Sequence, residues 1–373
     1  NAIMLIIVFN FFLDKYNLNF MIFYNISTVF GTISGLLSAS MFLLLGGIVS
    51  YFLNGYIYSI FSNNKILDPI TSRSSHRSKA TRSGGLSVFL SICLCLAIAG
   101  STKSLSINPY IYLSVLFMAL TGIADDFFNV RYREKFFLQL FAGLILLQSG
   151  YSINSFHGVF GVFEIPYWLS SIVTLFVFLI IVNAINLIDG LDGLASLISI
   201  KFLIIMGGVI IIGANEMFLF FPIIIGTLLG FLLHNFNSVR KVFLGDTGSL
   251  FIGATMASFI VFVLDSSSQV ITDQYLSRPL FCVLILIYPL TDTLRAIVLR
   301  SFKNQSPFVA DRIHLHHRLA DKGYEHWAAS LLIFVLSISL LITNFFLFQY
   351  IGLNFCVIVT TALMIIYYYA FFK

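Results

Sequence analysis

The chain is a succession of about eleven apolar runs, each separated from the next by a short polar segment. A helix needs roughly 20 mostly apolar residues to cross a bilayer, so runs of this kind predict membrane-spanning helices. Only 10% of the 373 residues are charged, against about 25% in soluble proteins. This composition excludes a cytosolic enzyme, a secreted domain and a nucleic-acid-binding protein. The predicted runs are 34–62, 85–100, 109–124, 136–150, 168–187, 195–213, 217–233, 248–264, 280–297, 327–345 and 348–370.

The basic residues predict the direction in which the chain crosses the membrane. Of the 21 Lys and Arg residues, all except Lys15, Lys103 and Arg278 fall in alternate connections, on one side of an eleven-helix arrangement. Because Lys and Arg are retained on the cytoplasmic side, the N-terminus should lie outside and the C-terminus inside. No repeat or linker divides residues 33–373, which we expect to form a single transmembrane domain. The sequence does not assign residues 1–32.

The first motif is the pair Asp125-Asp126, followed nine residues later by Lys135. Adjacent carboxylates repel each other, and a divalent cation relieves that repulsion. Hard oxygen ligands suit Mg²⁺, with Mn²⁺ as an alternative. Lys135 would suit a phosphate. Taken alone, the pair is equally typical of a charged turn between helices.

The second motif ends the fifth run with Asn183, Asn186, Asp189 and Asp192, each three residues from the next. A continuous helical turn would align these side chains on one face. Asp189 and Asp192 are each followed by glycine, which permits close approach of a ligand or backbone. Four polar groups with this spacing at the end of an apolar helix favour a binding site over packing.

The third motif, Phe-Leu-Gly-Asp-Thr-Gly-Ser, surrounds Asp246 at the start of the eighth run, and Asn235 ends the run before it. Asp246 could simply cap the helix, or it could bind a metal beside a helix N-terminus that attracts anions. In the eleven-helix arrangement, all five aspartates of these motifs reach the cytoplasmic face. A carboxylate costs about 2.5–3.5 kcal/mol at the centre of a bilayer, so carboxylates grouped at the membrane edge indicate a cation site.

The fourth motif places His314, His316, His317 and Arg318 in a loop between the ninth and tenth runs. Imidazole and guanidinium groups suit a diphosphate or sugar hydroxyls. A zinc site and a solvated basic loop are the alternatives. A basic segment from Arg73 to Arg82, just before Gly84-Gly85, is a weaker signal. A contact with lipid headgroups and the general excess of positive charge on the cytoplasmic side would explain it equally well.

Together, and in this order, these motifs resemble the polyprenyl-phosphate N-acetylhexosamine-1-phosphate transferases, which form glycosyltransferase family 4. The resemblance covers about residues 65–326. The short histidine segment is more similar to the N-acetylglucosamine-1-phosphate branch than to the phospho-muramoyl-pentapeptide branch. The family often has Pro-Thr-Pro-Arg before its Gly-Gly pair, whereas this chain has Lys79-Ala80-Thr81-Arg82, so only Arg82 matches.

The resemblance implies transfer of a sugar-1-phosphate, expected to be N-acetylglucosamine-1-phosphate, from a UDP-sugar to undecaprenyl phosphate, with release of UMP. This reaction would start a lipid-linked surface glycan at the cytoplasmic face of the bacterial plasma membrane. The implied catalytic residues are Asp125, Asp126, Asp189 and Asp246, of which Asp125, Asp126 and Asp246 would hold Mg²⁺. The implied substrate-binding residues are Arg82, Lys135, Asn186, Asp192, Asn235, His314, His316, His317 and Arg318.

Two alternatives and one question stay open at this level. A phospho-N-acetylmuramoyl-pentapeptide transferase is the nearest alternative within the class. An ion-coupled transporter is the alternative from another class, although transporters usually place such residues near the bilayer midplane and carry internal repeats. The expected partners are the lipid bilayer, the polyprenyl phosphate and the nucleotide sugar; a homodimer is left open.

Overall fold

The computed structural model describes residues 33–66, 80–100, 108–213, 219–268, 277–303 and 314–372. Most of these residues are helical. The unassigned segment 1–32, most of the basic segment before Arg82, and the residues just before His314 lie outside the described residues. The helices are α1 (Ile33–Asn63), α2 (Gly84–Gly100), α3 (Pro109–Phe128), α4 (Tyr132–Leu147), α5 (Tyr167–Leu187), α6 (Leu194–Gly213), α7 (Phe220–Asn235), α8 (Gly245–Leu264), α9 (Arg278–Ile285), α10 (Ile287–Phe302), α11 (Leu315–Asp321) and α12 (His326–Tyr367), followed by π-helical Tyr368–Phe372.

Each of the predicted apolar runs corresponds to a helix, with two differences in continuity. The run 280–297 is divided into α9 and α10, which are bent by 79° relative to each other. Pro289 explains the break, because its ring clashes with the carbonyl group four residues earlier, at Ile285, where α9 ends. The last two runs form α12, which is interrupted at Gly352 by non-helical backbone angles.

The prediction of a helical membrane protein is confirmed in its general form. Within the described ranges, five helices are long and apolar enough to span a membrane, and the bent pair α9–α10 would make a sixth. Helices α2, α6 and α7 are apolar but shorter. The count of eleven spans and the orientation of the termini stay predictions.

The all-α prediction omitted four short strands. Strands β2 (Ser155–Val159) and β3 (Val162–Glu164) form an antiparallel hairpin between α4 and α5. Strands β1 (Ala80–Thr81) and β4 (Lys241–Val242) pair in parallel, although about 160 residues separate them. Two more backbone hydrogen bonds connect the segments that follow these strands. The Phe243 amide donates to the Thr81 carbonyl, and the Gly84 amide donates to the Phe243 carbonyl.

Helix α8 lies at the centre of the fold, and nearly all of its residues are buried. Glycines let other helices approach its first turn closely. A Cβ atom on Gly122 of α3 would lie 2.4 Å from the Thr247 Cα, and one on Gly85 of α2 would lie 2.2 Å from the Gly248 amide nitrogen. The ends of α2, α3 and α8 therefore meet at one place, which carries the third motif.

Candidate active site

Lys135 joins two of the predicted carboxylates. Its ammonium lies 2.7 Å from Asp125 Oδ2 and 2.5 Å from Asp246 Oδ1. Asp125 comes from the last turn of α3, Lys135 from the first turn of α4 and Asp246 from the first turn of α8. All three side chains are mostly buried, with 12–22% exposed. Residues distant in sequence thus form one charged centre, as the topology argument predicted.

Asn186, near the end of α5, completes this centre. Its amide nitrogen donates to Asp246 Oδ1 over 2.6 Å and to Ser249 Oγ over 2.8 Å. Asn183, one turn earlier, instead exchanges hydrogen bonds with Gln139 of α4. Asn186 therefore contacts the charged centre directly, whereas Asn183 fastens α5 to α4.

Asp126 contacts the centre in a different way from its neighbour Asp125. Its Oδ1 accepts a hydrogen bond from the Asp246 amide over 3.0 Å, and its Oδ2 accepts from the Thr247 amide and hydroxyl over 2.8 and 2.6 Å. Amides at a helix N-terminus have no partner within the helix. Asp126 therefore caps α8 from another helix. Gly245, at φ +66°, permits this approach, since a Cβ there would lie 2.9 Å from Asp126 Oδ1.

Asp189 lies just past the end of α5, close to the same carboxylates. Burial, together with the charges of Asp246 and Asp126, raises the pKa of Asp189 well above its usual range. A hydrogen bond from the Gly245 amide opposes that shift without offsetting it. We define the carboxylate cluster as Asp125, Asp126, Asp189 and Asp246 together with Lys135.

Arg82 supplies a second positive charge to this region. Arg82 directly follows Thr81 of β1, and the pairing of β1 with β4 places it beside the segment that leads into α8. Its charge acts on Asp246 together with that of Lys135. The cluster thus has four carboxylates acted on by at least two cations, so negative charge predominates.

Asp192 and Asn235 both make polar contacts with other groups of the protein. Asp192 Oδ2 lies 2.6 Å from Lys241 Nζ and 3.1 Å from His326 Nδ1. Hydrogen bonds from His326 and Lys241 hold the pKa of Asp192 below its usual range, although burial opposes this. Asn235 accepts from the Gly193 amide over 2.6 Å and donates to the Val242 carbonyl over 2.8 Å. Both residues hold the turn after α5 in place, and their predicted contact with substrate stays a prediction.

The expected alignment of these polar residues on one helical face is wrong for Asp192. Helix α5 ends at Leu187, and Gly193 has φ +76°, so the chain turns before Asp192. Asp189 and Asp192 consequently point to different partners.

The described part of the histidine motif is a short helix, α11, rather than the expected loop. His314 is its N-cap residue and is buried. Its Nδ1 lies 3.0 Å from Asp292 Oδ2, and its Nε2 lies 3.5 Å from an Arg300 nitrogen. Asp292 Oδ1 also accepts from the Leu315 amide over 2.8 Å. Because both ring nitrogens of His314 face protein groups, the zinc alternative is disfavoured.

Asp292 is a residue that the sequence reasoning missed. It is completely buried in α10 and organises the start of α11. A single acidic residue inside an apolar run was the available signal, because such residues in membrane helices are suspected of function by default.

His316 and His317 connect α11 to the turn that carries Asp189. A Cβ atom on Gly190 would lie 2.6 Å from His316 Nε2 and 3.4 Å from His317 Cε1. His316 is completely buried, and that burial lowers its pKa. Arg318 turns elsewhere, donating to the Tyr368 hydroxyl over 2.9 Å. The structure therefore brings His316 and His317 to the turn beside the carboxylate cluster, whereas Arg318 hydrogen-bonds to Tyr368.

The donor atoms of the carboxylate cluster suit a hard divalent cation, because they are oxygens with excess negative charge. Among the residues that the structure describes, no three His, Cys, Asp or Glu side chains are already arranged as a ligand set. The Lys135 ammonium lies between Asp125 and Asp246, and Asp126 is occupied as a cap. The chemistry of the donors fits Mg²⁺, while the arrangement is that of a site balanced by lysine.

Such an arrangement, a group of carboxylates and cations at helix ends, suits the binding and transfer of phosphoryl groups. Comparisons with known proteins point the same way. The model of the glycosyl transferase family 4 matches residues 108–264, which include the carboxylate cluster.

Several bacterial proteins are similar to the chain over most of its length. Decaprenyl-phosphate N-acetylglucosaminephosphotransferase of Mycobacterium leprae is 30% identical over 78% of this chain and 79% of its own. The "Probable undecaprenyl-phosphate N-acetylglucosaminyl 1-phosphate transferase" of Bacillus subtilis is 31% identical over 72% and 74%. The Escherichia coli undecaprenyl-phosphate alpha-N-acetylglucosaminyl 1-phosphate transferase is 25% identical over 72% of both chains. These matches support an enzyme rather than a transporter, and the chain belongs to glycosyl transferase family 4 as a membrane-bound phosphotransferase.

Proposed function

We propose that the protein transfers N-acetylglucosamine-1-phosphate from a UDP-sugar to undecaprenyl phosphate and releases UMP. The observation that carries this proposal is the contact of Lys135 with both Asp125 and Asp246. The relatives are named for N-acetylglucosamine phosphate and for a polyprenyl phosphate, which favours this donor over a muramoyl-pentapeptide. In the eleven-span arrangement, the carboxylate cluster faces the cytoplasm, where a nucleotide sugar is available.

Physical chemistry favours a reaction at the membrane edge. A polyprenyl chain gains about 0.8 kcal/mol for each buried methylene group, so the acceptor stays in the bilayer. The nucleotide sugar is charged and stays in water. The two substrates can meet only where helix ends carry polar groups to the surface. Helices α3 and α5 end, and α8 begins, at the carboxylate cluster.

Phosphoryl transfer depends mainly on positioning and charge neutralisation. In the proposal, Lys135 exchanges one of its carboxylate partners for the acceptor phosphate. Asn186 holds Asp246 in place, and Asp126 fixes the first turn of α8 on which Asp246 stands. When bound by Asp246 and Asp125, Mg²⁺ would neutralise the diphosphate of the donor.

The direct test is transfer of radiolabel from UDP-N-acetylglucosamine into butanol-extractable lipid by the purified protein, with other UDP-sugars compared in parallel. We expect label in the lipid only with a divalent cation present. Asp246→Asn should reduce transfer by at least about a hundredfold, because it removes a charge that acts on the reacting phosphates. Undiminished transfer in EDTA, or by Asp246→Asn, would contradict the proposed site.

The matched control is Asp265→Asn. Asp265 follows the C-terminal end of the same helix, α8, where its carboxylate accepts hydrogen bonds from the Ser152 and Ser267 amides. This variant should keep most of its activity. The predicted orientation is tested separately by Ser267→Cys, which an impermeant thiol reagent should label from outside the cell.

A further inference from the structure

The proton on His314 can be assigned from its neighbours. Arg300 can only donate hydrogen bonds, so His314 Nε2, at 3.5 Å, faces it as an acceptor. The single proton of a neutral ring must then lie on Nδ1, which donates to Asp292 Oδ2 over 3.0 Å. Asp292 is thereby held as an ionised acceptor between α10 and α11.

His316 presents the same edge to the same carboxylate. Its Nδ1 lies 3.6 Å from Asp292 Oδ2 and 3.4 Å from the Tyr288 hydroxyl. A lone pair on Nδ1 would be repelled by the full charge of Asp292, whereas an N–H is attracted to it. The neutral hydroxyl of Tyr288 adapts to either form because it can both donate and accept. The charge of Asp292 therefore favours the form of His316 with its proton on Nδ1.

The opposite nitrogen of His316 is then an acceptor. His316 Nε2 is fully buried and has no hydrogen-bond partner among the described residues. It faces the backbone of Gly190, where a Cβ would lie only 2.6 Å away. Buried polar atoms are rarely left without a partner, so an atom of this kind beside the turn that carries Asp189 indicates a ligand group.

We propose that Asp292 acts as a positioning residue, which fixes the proton of His316 on Nδ1 so that Nε2 accepts a hydrogen bond from a hydroxyl or amide N–H of the nucleotide sugar. This inference rests on the proposed function. Of the two ligands expected for His316 from the sequence, a diphosphate and sugar hydroxyls, it excludes the diphosphate, because a phosphate oxygen that only accepts hydrogen bonds cannot pair with an acceptor nitrogen. The residue then recognises a neutral part of the donor, the sugar or the nucleoside, and the phosphates are left to the cationic groups.

A site of this kind contributes specificity. A buried acceptor stays unpaired when the ligand lacks the matching hydroxyl or N–H, and such mismatches are penalised strongly. His316 should therefore discriminate between donors that differ at one hydrogen-bonding group.

The first test is nitrogen-15 NMR of the full-length protein in detergent, with labelled histidine and the His316 signals assigned through His316→Gln. The expected spectrum has the protonated nitrogen at Nδ1 in the wild type and at Nε2 in Asp292→Asn. This measurement requires no turnover. A wild-type His316 with its proton on Nε2 would overturn the inference, whatever the enzyme transfers.

The second test is a double-mutant cycle on transfer kinetics. Glutamine at position 316 offers an acceptor in place of Nε2 and has no ring proton to be fixed. Asp292→Asn should lower kcat/KM for the nucleotide sugar about ten- to a hundredfold in the wild-type background, and less than about threefold beside His316→Gln. An equal loss in both backgrounds would mean that Asp292 has only a structural role, and would refute the positioning role.

Two further variants keep the result interpretable if Asp292→Asn folds poorly. Tyr288→Phe removes the competing hydroxyl, and we expect the His316 proton and the kinetics to stay unchanged. A proton moved to the other nitrogen by this change would assign its placement to Tyr288 and overturn the inference. Thr293→Val serves as the folding control, since Thr293 is the adjacent buried residue of α10 and its hydroxyl has no partner among the described residues. Absence of transfer by the wild type would instead refute the proposed function and leave the NMR result standing.

Discussion

Asp189 and Asp192 are three residues apart in one turn, and the structure gives them opposite surroundings. Asp189 is half-buried near Asp246 and Asp126, and its pKa is raised well above the usual range. Asp192 contacts Lys241 and His326, and their hydrogen bonds hold its pKa below the usual range against the effect of burial. One carboxylate is kept among like charges, whereas the other is neutralised by cations of the protein.

The difference distinguishes a carboxylate that is placed to bind a cationic ligand, Asp189, from a carboxylate that stabilises the local structure, Asp192. A carboxylate with a raised pKa is destabilising in its ionised form, so the fold maintains Asp189 at a cost. A cationic ligand would remove that cost. The charge of Asp192 is already balanced by Lys241 and His326, so no ligand is required to stabilise it. These contacts also connect the turn to β4 and to the first turn of α12.

The largest effect is expected from the substitution Asp189→Asn. The change should reduce sugar-phosphate transfer at least about a hundredfold, because it removes one of the charges that gather the cation and the substrate phosphates. It should also raise the melting temperature of the purified protein, because it removes repulsion with Asp246 and Asp126. Transfer assays and thermal unfolding in the same detergent measure the two effects.

A loss of both activity and stability would contradict this contrast, since it would show that the Asp189 carboxylate stabilises the fold. Asp189→Ala, which removes both the charge and the hydrogen bonding, separates the two contributions.

A smaller effect is expected from Asp192→Asn. It should destabilise the protein by about 1–3 kcal/mol, because it weakens charged hydrogen bonds to two partners. Transfer by the folded fraction should fall by less than about tenfold, since the side chain is occupied by Lys241 and His326. Lys241→Met provides the matched change at the other end of the ion pair and should have a similar effect on melting.

If Asp192→Asn instead raises the KM for the nucleotide sugar strongly while the melting temperature stays constant, Asp192 contacts substrate. That outcome would restore the role predicted from the sequence and remove the contrast with Asp189.

The sequence predicted the helices and the gathering of the carboxylates, because apolar runs and basic loops follow simple physical rules. It did not predict that Asp126 would cap α8, or that Asn235 would use both of its polar groups on the backbone. These roles depend on contacts between segments distant in the chain, such as the pairing of β1 with β4. Periodicity treated Asp189 and Asp192 as equivalent, since it could not show that α5 ends at Leu187.

The smallest expected effect is a difference in the pH at which the two substitutions cease to matter. For Asp189 the folded-state pKa is raised above that of the unfolded chain, about 3.9 for an ordinary Asp. The cost of its charge is therefore fully present above the folded pKa, shrinks as the pH falls through that value, and is absent below the unfolded pKa. The advantage in melting temperature of Asp189→Asn should narrow accordingly on acidification.

For Asp192 the folded pKa is depressed, so the sign is reversed. Its stabilisation is fully present above the unfolded pKa and is lost only as the pH falls through the lower folded value. Thermal unfolding of the wild type and both variants from neutral to acidic pH should show the Asp189→Asn gap closing first, at the higher pH, while the Asp192→Asn deficit persists. If both differences in melting temperature disappear over the same pH range, the two carboxylates titrate alike. Asp189 would then not be destabilised by neighbouring like charges in the folded protein while Asp192 is stabilised by cations.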